Sequence, residues 1–188
     1  MFLIITPHYN GRMGKQLAFM TFGELLEDYG HATIEGFRSR APGVFDAADG
    51  TVGFVGRPAR IIEVDAPSWG ELVAPQCWGG EVTSRHVATL SMWESIEAVA
   101  AFAYNGAHGE AMRRRKDWFV PTNLPEQVAY WLEDGELPSW EQAASRMDHL
   151  HKHGPSGYAF LIRSSFDEHG SPYKLDVQKV KLIATSVK

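Results

Sequence analysis

The residues from Val87 to Phe119 constrain the fold more than any other stretch, because a strand-like run leads directly into a helix that breaks and resumes. Val87 to Met92 is short, apolar and rich in β-favouring residues, which predicts a strand. Ser95 follows as a candidate N-cap, since its hydroxyl oxygen can accept a hydrogen bond from a backbone N–H of the first helical turn. The sequence therefore predicts a strand followed by a helix that begins at about Ser95.

The predicted helix carries an apolar stripe, which must face a core. The residues of this stripe recur at helical spacing and are Ile96, Val99, Ala100 and Ala103. Glu97 lies in the first turn, where the positive end of the helix dipole favours a carboxylate. The helix is thus expected to pack on one face and to begin with a favourable charge.

The pair Asn105-Gly106 predicts a break in this helix, because both residues tolerate a positive φ. A second helical run from about Ala107 then has one face that carries His108, Met112 and Arg115. A histidine just past a break is well placed to face a pocket. His108 is therefore the first candidate functional residue.

A series of aromatic and charged motifs runs through the broken helix and beyond it. The first of these motifs are Ser91-Met92-Trp93-Glu94-Ser95, Phe102, Tyr104, His108 and Arg113-Arg114-Arg115-Lys116-Asp117-Trp118-Phe119. Those that follow are Trp131, Gly135, Pro138, Glu141-Gln142-Ala143, Arg146, Leu150, Gly154-Pro155 and Ala159-Phe160. From roughly Val52 to Phe166 the chain resembles the domain-of-unknown-function 3291 family.

That family resembles the dimeric α+β barrel proteins, a ferredoxin-like group that includes antibiotic-biosynthesis monooxygenases. Its central segment is also similar to that of spheroidene monooxygenase, a haem-containing carotenoid oxygenase. The resemblance implies an α+β fold, a dimer, and an oxygenase-like activity with or without haem.

The rest of the sequence predicts strands and helices in alternation. The predicted strands are Phe2 to Thr6, Val52 to Val55, Ala59 to Val64, Glu126 to Leu132, Tyr158 to Ser164 and an edge strand within Asp176 to Ala184. The predicted helices are Lys15 to Tyr29, a short segment in Ala32 to Arg40, and a helix that is capped near Ser139 and reaches about Lys152. No element is predicted around Val44-Phe45, which lies between turn residues.

The fold class that we expect is α+β: a ferredoxin-like antiparallel sheet with helices on one face, in a dimeric α+β barrel. Residues 1–188 would form a single domain, since this length suits one well-buried core and is short for two. A sheet covered on one face leaves the other face bare, and the most economical cover is the same face of a second copy. The sequence therefore predicts a homodimer.

The segment from Asp65 to Glu81 predicts a long loop, rich in Pro and Gly, that still carries Trp69 and Trp78. These tryptophans either cover a pocket or anchor the loop against the core.

Composition excludes several classes of protein. A formal net charge of −5 argues against general affinity for nucleic acid, which needs a basic surface. The sequence has no run of about 18 apolar residues and no signal peptide, so we expect a cytoplasmic protein without a membrane span. Cys77 is the single cysteine, which excludes an internal disulfide and a cysteine-based zinc or iron–sulfur site within one chain.

The chemistry of His108 has three readings. Its neutral imidazole can act as a base or ligate haem iron, or its ring can donate to a backbone carbonyl and lock the broken helix. Tyr104, one turn earlier, is the second candidate catalytic residue. For haem, Arg113 and Arg115 are expected to pair with the propionates and Met112 to flank the ligand, with His8 and His86 as reserve ligands.

Aromatic residues are the candidates for a substrate pocket. They are Trp93, Phe102, Trp118 and Trp131, and the alternative is that they belong to an ordinary core. His149, His151 and His153 alternate, which on a strand would suggest a metal site. The region is predicted to be a helix, where this spacing does not line one face, so we expect no metal there.

The sequence therefore predicts a monooxygenase-like enzyme that acts on a small or extended apolar organic molecule, with haem as a candidate cofactor through His108. The alternatives are a cofactor-free oxygenase or isomerase of the antibiotic-biosynthesis monooxygenase type, and a dimer that binds a ligand without chemistry.

Overall fold

A computed structural model describes residues 14–58 and 69–186. Within these residues, the strands are β1 (Leu17–Glu24), β2 (Phe54–Gly56), β3 (His86–Trp93) and β4 (Gln127–Trp131). The α-helices there are α1 (Glu35–Arg38), α2 (Ala41–Asp49), α3 (Ile96–Tyr104), α4 (Gly106–Arg113), α5 (Trp140–His153) and α6 (Val177–Ser186). No helix in the described ranges is long and apolar enough to cross a membrane.

The strands form one antiparallel sheet in the order β2-β3-β1-β4. Helices separate β1 from β2 and β3 from β4, whereas β2 and β3 pair with each other. This β-α-β-β-α-β order is consistent with a ferredoxin-like sheet. The predicted α+β fold class is confirmed.

β1 lies at the centre of the sheet, where the sequence predicted a helix from Lys15 to Tyr29. That prediction was wrong. Leu17 and Phe19 pack on one face of the sheet, and Ala18 and Met20 pack on the other. A strand buried on both faces carries a continuous apolar run, which periodicity alone does not distinguish from a helix.

Both faces of the sheet are covered by this chain. On one face, Leu17 and Trp93 pack with α3, α6 and the end of α2. On the other face, α5 and the 69–78 segment pack on Ala18, Met20 and Tyr130. The homodimer was predicted because one face of the sheet was expected to be bare. In the described residues, elements of the same chain cover that face.

The tryptophans of the long loop anchor it. Trp69 is 6% exposed and belongs to the core under α5. Trp78 is partly buried and donates from Nε1 to the carbonyl oxygen of Pro125 at 3.0 Å. In the described part of the loop, anchoring is therefore the arrangement that the structure shows.

Two predicted C-terminal strands are wrong. Residues 158–164 make only isolated bridges, of which Ala129 with Phe160 is the one to the sheet. The tail forms α6 instead of an edge strand. Asp176 accepts hydrogen bonds through Oδ1 from the backbone N–H groups of Gln178 and Lys179, which starts a helix, and the apolar side chains of α6 pack towards α3.

The remaining predictions concern the segment after Gly30, the region around Val44-Phe45 and two strands in the first part of the chain. The short helical segment after Gly30 is confirmed, and α2 forms around Val44-Phe45, where no element was predicted. The predicted strands Phe2 to Thr6 and Ala59 to Val64, like His8, lie outside the described residues.

The predicted cap of the central helix is confirmed. Ser95 has extended backbone angles, and its Oγ accepts a hydrogen bond from the backbone N–H of Ala98 at 3.2 Å. Ser139 caps α5 in the same way, through the N–H of Gln142 at 3.1 Å.

We expect Ser95→Ala to lower the free energy of unfolding by about 1 kcal/mol, because a first-turn N–H loses its acceptor. Ser139→Ala is the matched comparison and should cost a similar amount. Urea denaturation of both variants measures the effect. A Ser95→Ala variant as stable as the wild type would show that the cap is dispensable.

Candidate functional site

The break between α3 and α4 positions His108. Asn105 is extended, with φ −126° and ψ 174°, and its side chain donates to the carbonyl oxygen of Ala101 at 3.0 Å. α4 then starts so close to α3 that a Cβ on Gly109 would lie 2.7 Å from the carbonyl oxygen of Tyr104. Only glycine fits at that position, so Gly109 permits the sharp turn that carries the histidine.

The His108 imidazole is held by one nitrogen. Nδ1 lies 2.8 Å from the carbonyl oxygen of Ala103, and because a carbonyl only accepts hydrogen bonds, Nδ1 carries the proton. Burial lowers the pKa of His108 below its ordinary value of 6.5, and the bond to Ala103 opposes this only in part. The ring is thus neutral near neutral pH, and its Nε2 lone pair makes no hydrogen bond within the described residues.

Aromatic rings continue from His108 into the core. Phe102 lies 4.7 Å from the His108 ring, centroid to centroid, and is stacked 5.3 Å from Trp93. Trp93 is fully buried, and its Nε1 donates to Ser91 Oγ at 2.8 Å. The structure therefore brings together three of the predicted site residues in one apolar series.

We expect the lowered pKa of His108 to make stability depend on pH. The unfolded chain binds this proton more readily than the folded chain does. The stabilising contribution is therefore complete above pH 6.5 and is lost as the pH falls through the folded-state pKa. Denaturation curves of the wild type should lose more stability below pH 6.5 than those of His108→Gln. His169→Gln, a change at an exposed histidine, should follow the wild type, and parallel pH profiles for all three proteins would contradict this expectation.

The other candidates near His108 lie at the surface. Tyr104 is 37% exposed and Met112 is 43% exposed. The guanidinium of Arg163 lies 5.3 Å from the centre of the Tyr104 ring. Arg113 is exposed, whereas Arg115 is paired with Glu126, so the two arginines are not equally available to an anionic ligand.

Trp118 lies elsewhere, whereas Trp131 packs against the same core as Trp93 and Phe102. Trp118 belongs to a separate core with Leu25 and Ile34, and arginine side chains cover its ring. Trp131 lines a cavity of about 240 Å³ at the opposite end of α3 from His108. Because α3 has nine residues, its two ends are about 13 Å apart at 1.5 Å per residue. Trp118 is therefore separate from the other predicted pocket residues, and the cavity beside Trp131 lies away from His108.

The cavity beside Trp131 contains residues that the sequence did not assign to a site. Glu97 is 2% exposed, and its Oε1 accepts from the Tyr173 hydroxyl at 2.7 Å. Lys179 Nζ lies 3.5 Å from Glu97 Oε2. The hydrogen bond to Glu97 raises the pKa of Tyr173 to about 12. No local signal could find this cluster, because its members are far apart in sequence and the tail was predicted to be a strand.

A second cavity of about 370 Å³ lies between residues 123–127 and the end of α5, with His151 and Pro155 in its wall. The predicted helical register of the alternating histidines is confirmed, with the rings of His149 and His153 4.5 Å apart on one face of α5. Across the described ranges, no three His, Cys, Asp or Glu side chains are grouped to hold a metal ion.

Comparisons with known proteins give a family but no reaction. A family model described as a domain of unknown function, DUF3291, matches residues 16–176. No relative is found among curated proteins. A crystal structure of a protein of unknown function from Nitrosomonas europaea is similar over 66% of this chain and 96% of that chain, with a TM-score of 0.42 and 10% sequence identity.

Proposed function

This chain belongs to the DUF3291 family, and we propose that it is a monooxygenase-like enzyme in which His108 takes a proton from a small or extended apolar organic molecule. The observation that carries the proposal is the hydrogen bond from Nδ1 to Ala103, because it fixes the tautomer and leaves Nε2 as an acceptor. A base must be unprotonated to act, and burial keeps this imidazole neutral.

The surroundings of His108 suit an apolar substrate. Phe102 lies on the core side of the His108 ring, with the fully buried Trp93 stacked behind it, and the exposed side chains of Tyr104 and Met112 lie at neighbouring turns. An apolar molecule that contacts Phe102, Tyr104 and Met112 also shields the proton transfer from water, which strengthens the electrostatic interactions at the site. The Tyr104 hydroxyl supplies a second polar group for orienting a substrate.

The reaction that this base supports starts with removal of a proton from an activated CH₂ group or a phenol-type hydroxyl. The resulting anion supplies its own electrons to dioxygen. An activated CH₂ group then becomes a carbonyl, or a ring C–H of a hydroquinone becomes the C–OH of a hydroxyquinone. In both cases the second oxygen atom leaves as water, so the reaction needs no separate reductant. In this scheme His108 is the general base, and Tyr104 is a positioning residue.

Haem was predicted as a candidate cofactor, and its fit is partial. An iron-bound histidine usually donates its other ring nitrogen to a carbonyl or carboxylate, as His108 does to Ala103. Room for a macrocycle is the difficulty on one side of the ring, since Phe102 lies 4.7 Å from it, centroid to centroid. We therefore propose a cofactor-free reaction, and haem binding through His108 remains a prediction. Titration of haemin into the wild type and His108→Ala, followed at the Soret band with His86→Ala as control, tests it.

One observation favours a second candidate function, a protein that binds an apolar ligand without chemistry. The hydrogen bond from His108 to Ala103 also ties α4 to the end of α3, so the histidine has a structural role whether or not it reacts.

Oxygen uptake distinguishes the two functions. Wild type, His108→Gln and His169→Gln are incubated with a panel of hydroquinones, anthrones and similar compounds, and the products are analysed by mass spectrometry with labelled dioxygen. We expect label in the product of the wild type and of His169→Gln, and a rate about 10²- to 10⁴-fold lower in His108→Gln. Binding of these compounds without oxygen uptake would favour the ligand-binding function.

The homodimer also remains a prediction. Light scattering at several concentrations gives the mass directly, and a dimer would have twice the 21.0 kDa of the chain. A mass of one chain at every concentration would contradict the homodimer. It would agree with both faces of the sheet being covered by elements of the same chain.

A further inference from the structure

Polar atoms without a protein partner are concentrated between β4 and α5, on the face of the sheet away from α3. Four buried side-chain atoms of the described residues make no hydrogen bond to the protein, and three of them are the Tyr130 hydroxyl, Gln142 Oε1 and Arg146 Nε; the fourth is Gln16 Oε1, just before β1. Tyr130 is completely buried. Gln142 and Arg146 are one turn apart on α5 and so share a side of it. Buried polar groups nearly always have partners, so this concentration requires an explanation.

Arg146 brings a positive charge to this place. Its guanidinium carbon lies 5.0 Å from the centre of the Tyr130 ring and 3.6 Å from that of Tyr158. One terminal nitrogen donates to the carbonyl oxygen of Tyr158. Among the described residues Arg146 has no ion pair with a carboxylate. A partly buried cation without a counter-charge is costly, so an anion would be stabilised beside it.

Two carboxylates on or next to α5, Glu136 and Asp148, accept hydrogen bonds from other donors. Glu136 accepts from Gln142 Nε2 at 2.7 Å and from the backbone N–H of Glu133 at 2.8 Å. Asp148 accepts from the backbone N–H groups of Gln76 and Cys77 and so fastens the 69–78 segment to α5. Neither is paired with Arg146, which points to a counter-anion from outside the chain.

We propose that this cluster binds a small carboxylate, with a hydroxyl on the neighbouring carbon, between β4 and α5. The carboxylate oxygens accept from Arg146 Nε–H and from the Tyr130 hydroxyl, and the hydroxyl of the ligand donates to Gln142 Oε1. Guanidinium groups pair with carboxylates through directed hydrogen bonds, and that geometry suits this class of ligand. Burial raises the pKa of Tyr130, so its hydroxyl stays protonated and able to donate.

Arg146 also connects the buried cluster to the surface, where a small anion could enter. It reaches from the buried Tyr130 to Tyr158, whose side chain is 48% exposed and lies over the guanidinium. Movement of this single surface ring would expose the charge to a small anion. The site is separate from His108, so it does not depend on the proposed oxygenase reaction.

The test measures thermal stability and binding heats of the whole chain with glycolate, acetate, inorganic phosphate and chloride as probes. We expect glycolate to raise the melting temperature more than acetate does at equal ionic strength, and phosphate and chloride to have little effect. Tyr130→Phe and Arg146→Met should each weaken glycolate binding about tenfold or more, because each removes a hydrogen bond to a charged group. Arg163→Met, which removes an exposed arginine far from the cluster, should bind as the wild type does.

The variants also report on the unliganded site. Tyr130→Phe keeps the ring and removes only a hydroxyl without a partner, so it should fold normally. If glycolate and acetate leave the wild type unchanged, or stabilise all four proteins equally, the proposal is overturned and the cluster is satisfied by water. An equal response to all the probes would show a general salt effect and would overturn it as well.

Discussion

Trp93→Ala is expected to lower the free energy of unfolding by about 3–5 kcal/mol, the range for removing a buried aromatic side chain. Trp93 is fully buried at the end of β3, where it is stacked on Phe102 and meets Phe54 edge-on at 5.1 Å. Its replacement leaves a cavity between the sheet and α3 and removes the hydrogen bond to Ser91. Urea denaturation followed by far-ultraviolet circular dichroism measures the change.

Trp93→Phe is the matched variant, because it keeps an aromatic ring in the same place. We expect it to lose clearly less stability than Trp93→Ala. Since His108 contacts Trp93 through Phe102, the alanine variant should also change the environment of the His108 ring. A loss of less than about 1 kcal/mol in Trp93→Ala would show that this core is not what holds α3 to the sheet.

Glu97→Ala is expected to cost about 2–3 kcal/mol, since hydrogen bonds to a charged group are worth roughly 1.5–3 kcal/mol. The Glu97 carboxylate accepts from the Tyr173 hydroxyl and, at 3.3 Å, from the backbone N–H of Asp176. It lies 3.5 Å from Lys179 of α6. Its removal should therefore loosen α6, which hydrogen exchange measures as faster exchange of the α6 amides.

Glu141→Ala is the control for the helix dipole. Glu97 and Glu141 each lie two residues after a capping serine, in the first turns of α3 and α5, but Glu141 is exposed. Both changes remove the dipole interaction, worth about 0.3–1 kcal/mol, and only Glu97→Ala removes the buried hydrogen bonds. Equal losses in the two variants would mean that Glu97 acts through the dipole alone.

Features of the fold that depend on neighbouring residues could be predicted from the sequence. The cap at Ser95, the break at Asn105-Gly106 and the cap at Ser139 are local, because each is a side chain or a backbone angle that acts within one turn. The strand before Ser95 was predicted from its β-favouring residues. Each of these predictions is confirmed by the structure.

Features that depend on distant partners could not be predicted. Both faces of β1 are buried, so its apolar residues form a nearly continuous run that fits a helix as well as a strand until the covering elements are known. The tail forms a helix because Asp176 caps it and because it packs on α3. The partner of Glu97 is Tyr173, 76 residues later in the chain. A single sequence contains no signal for such a contact.

The prediction for the site was limited in the same way. His108 was chosen as a candidate because it follows a local break, and the structure adds the bond to Ala103 that fixes its tautomer. The aromatic residues were grouped by type, yet Trp118 packs in a separate core with Leu25 and Ile34. Trp131 shares a core with Trp93 and Phe102 but lines a cavity at the other end of α3 from His108. Type and spacing identify candidates, whereas the sheet order decides which of them meet.

The protonation of His108 is the property on which the proposed function depends, and it can be measured without a substrate. Nitrogen nuclear magnetic resonance of the labelled protein across a pH series, with His108→Gln to assign the signals, reports both the tautomer and the pKa. We predict a neutral ring with the proton on Nδ1, and a pKa below 6.5. A ring that is charged at neutral pH, or one with its proton on Nε2, would contradict the account, because neither can accept a proton at the atom that faces the substrate.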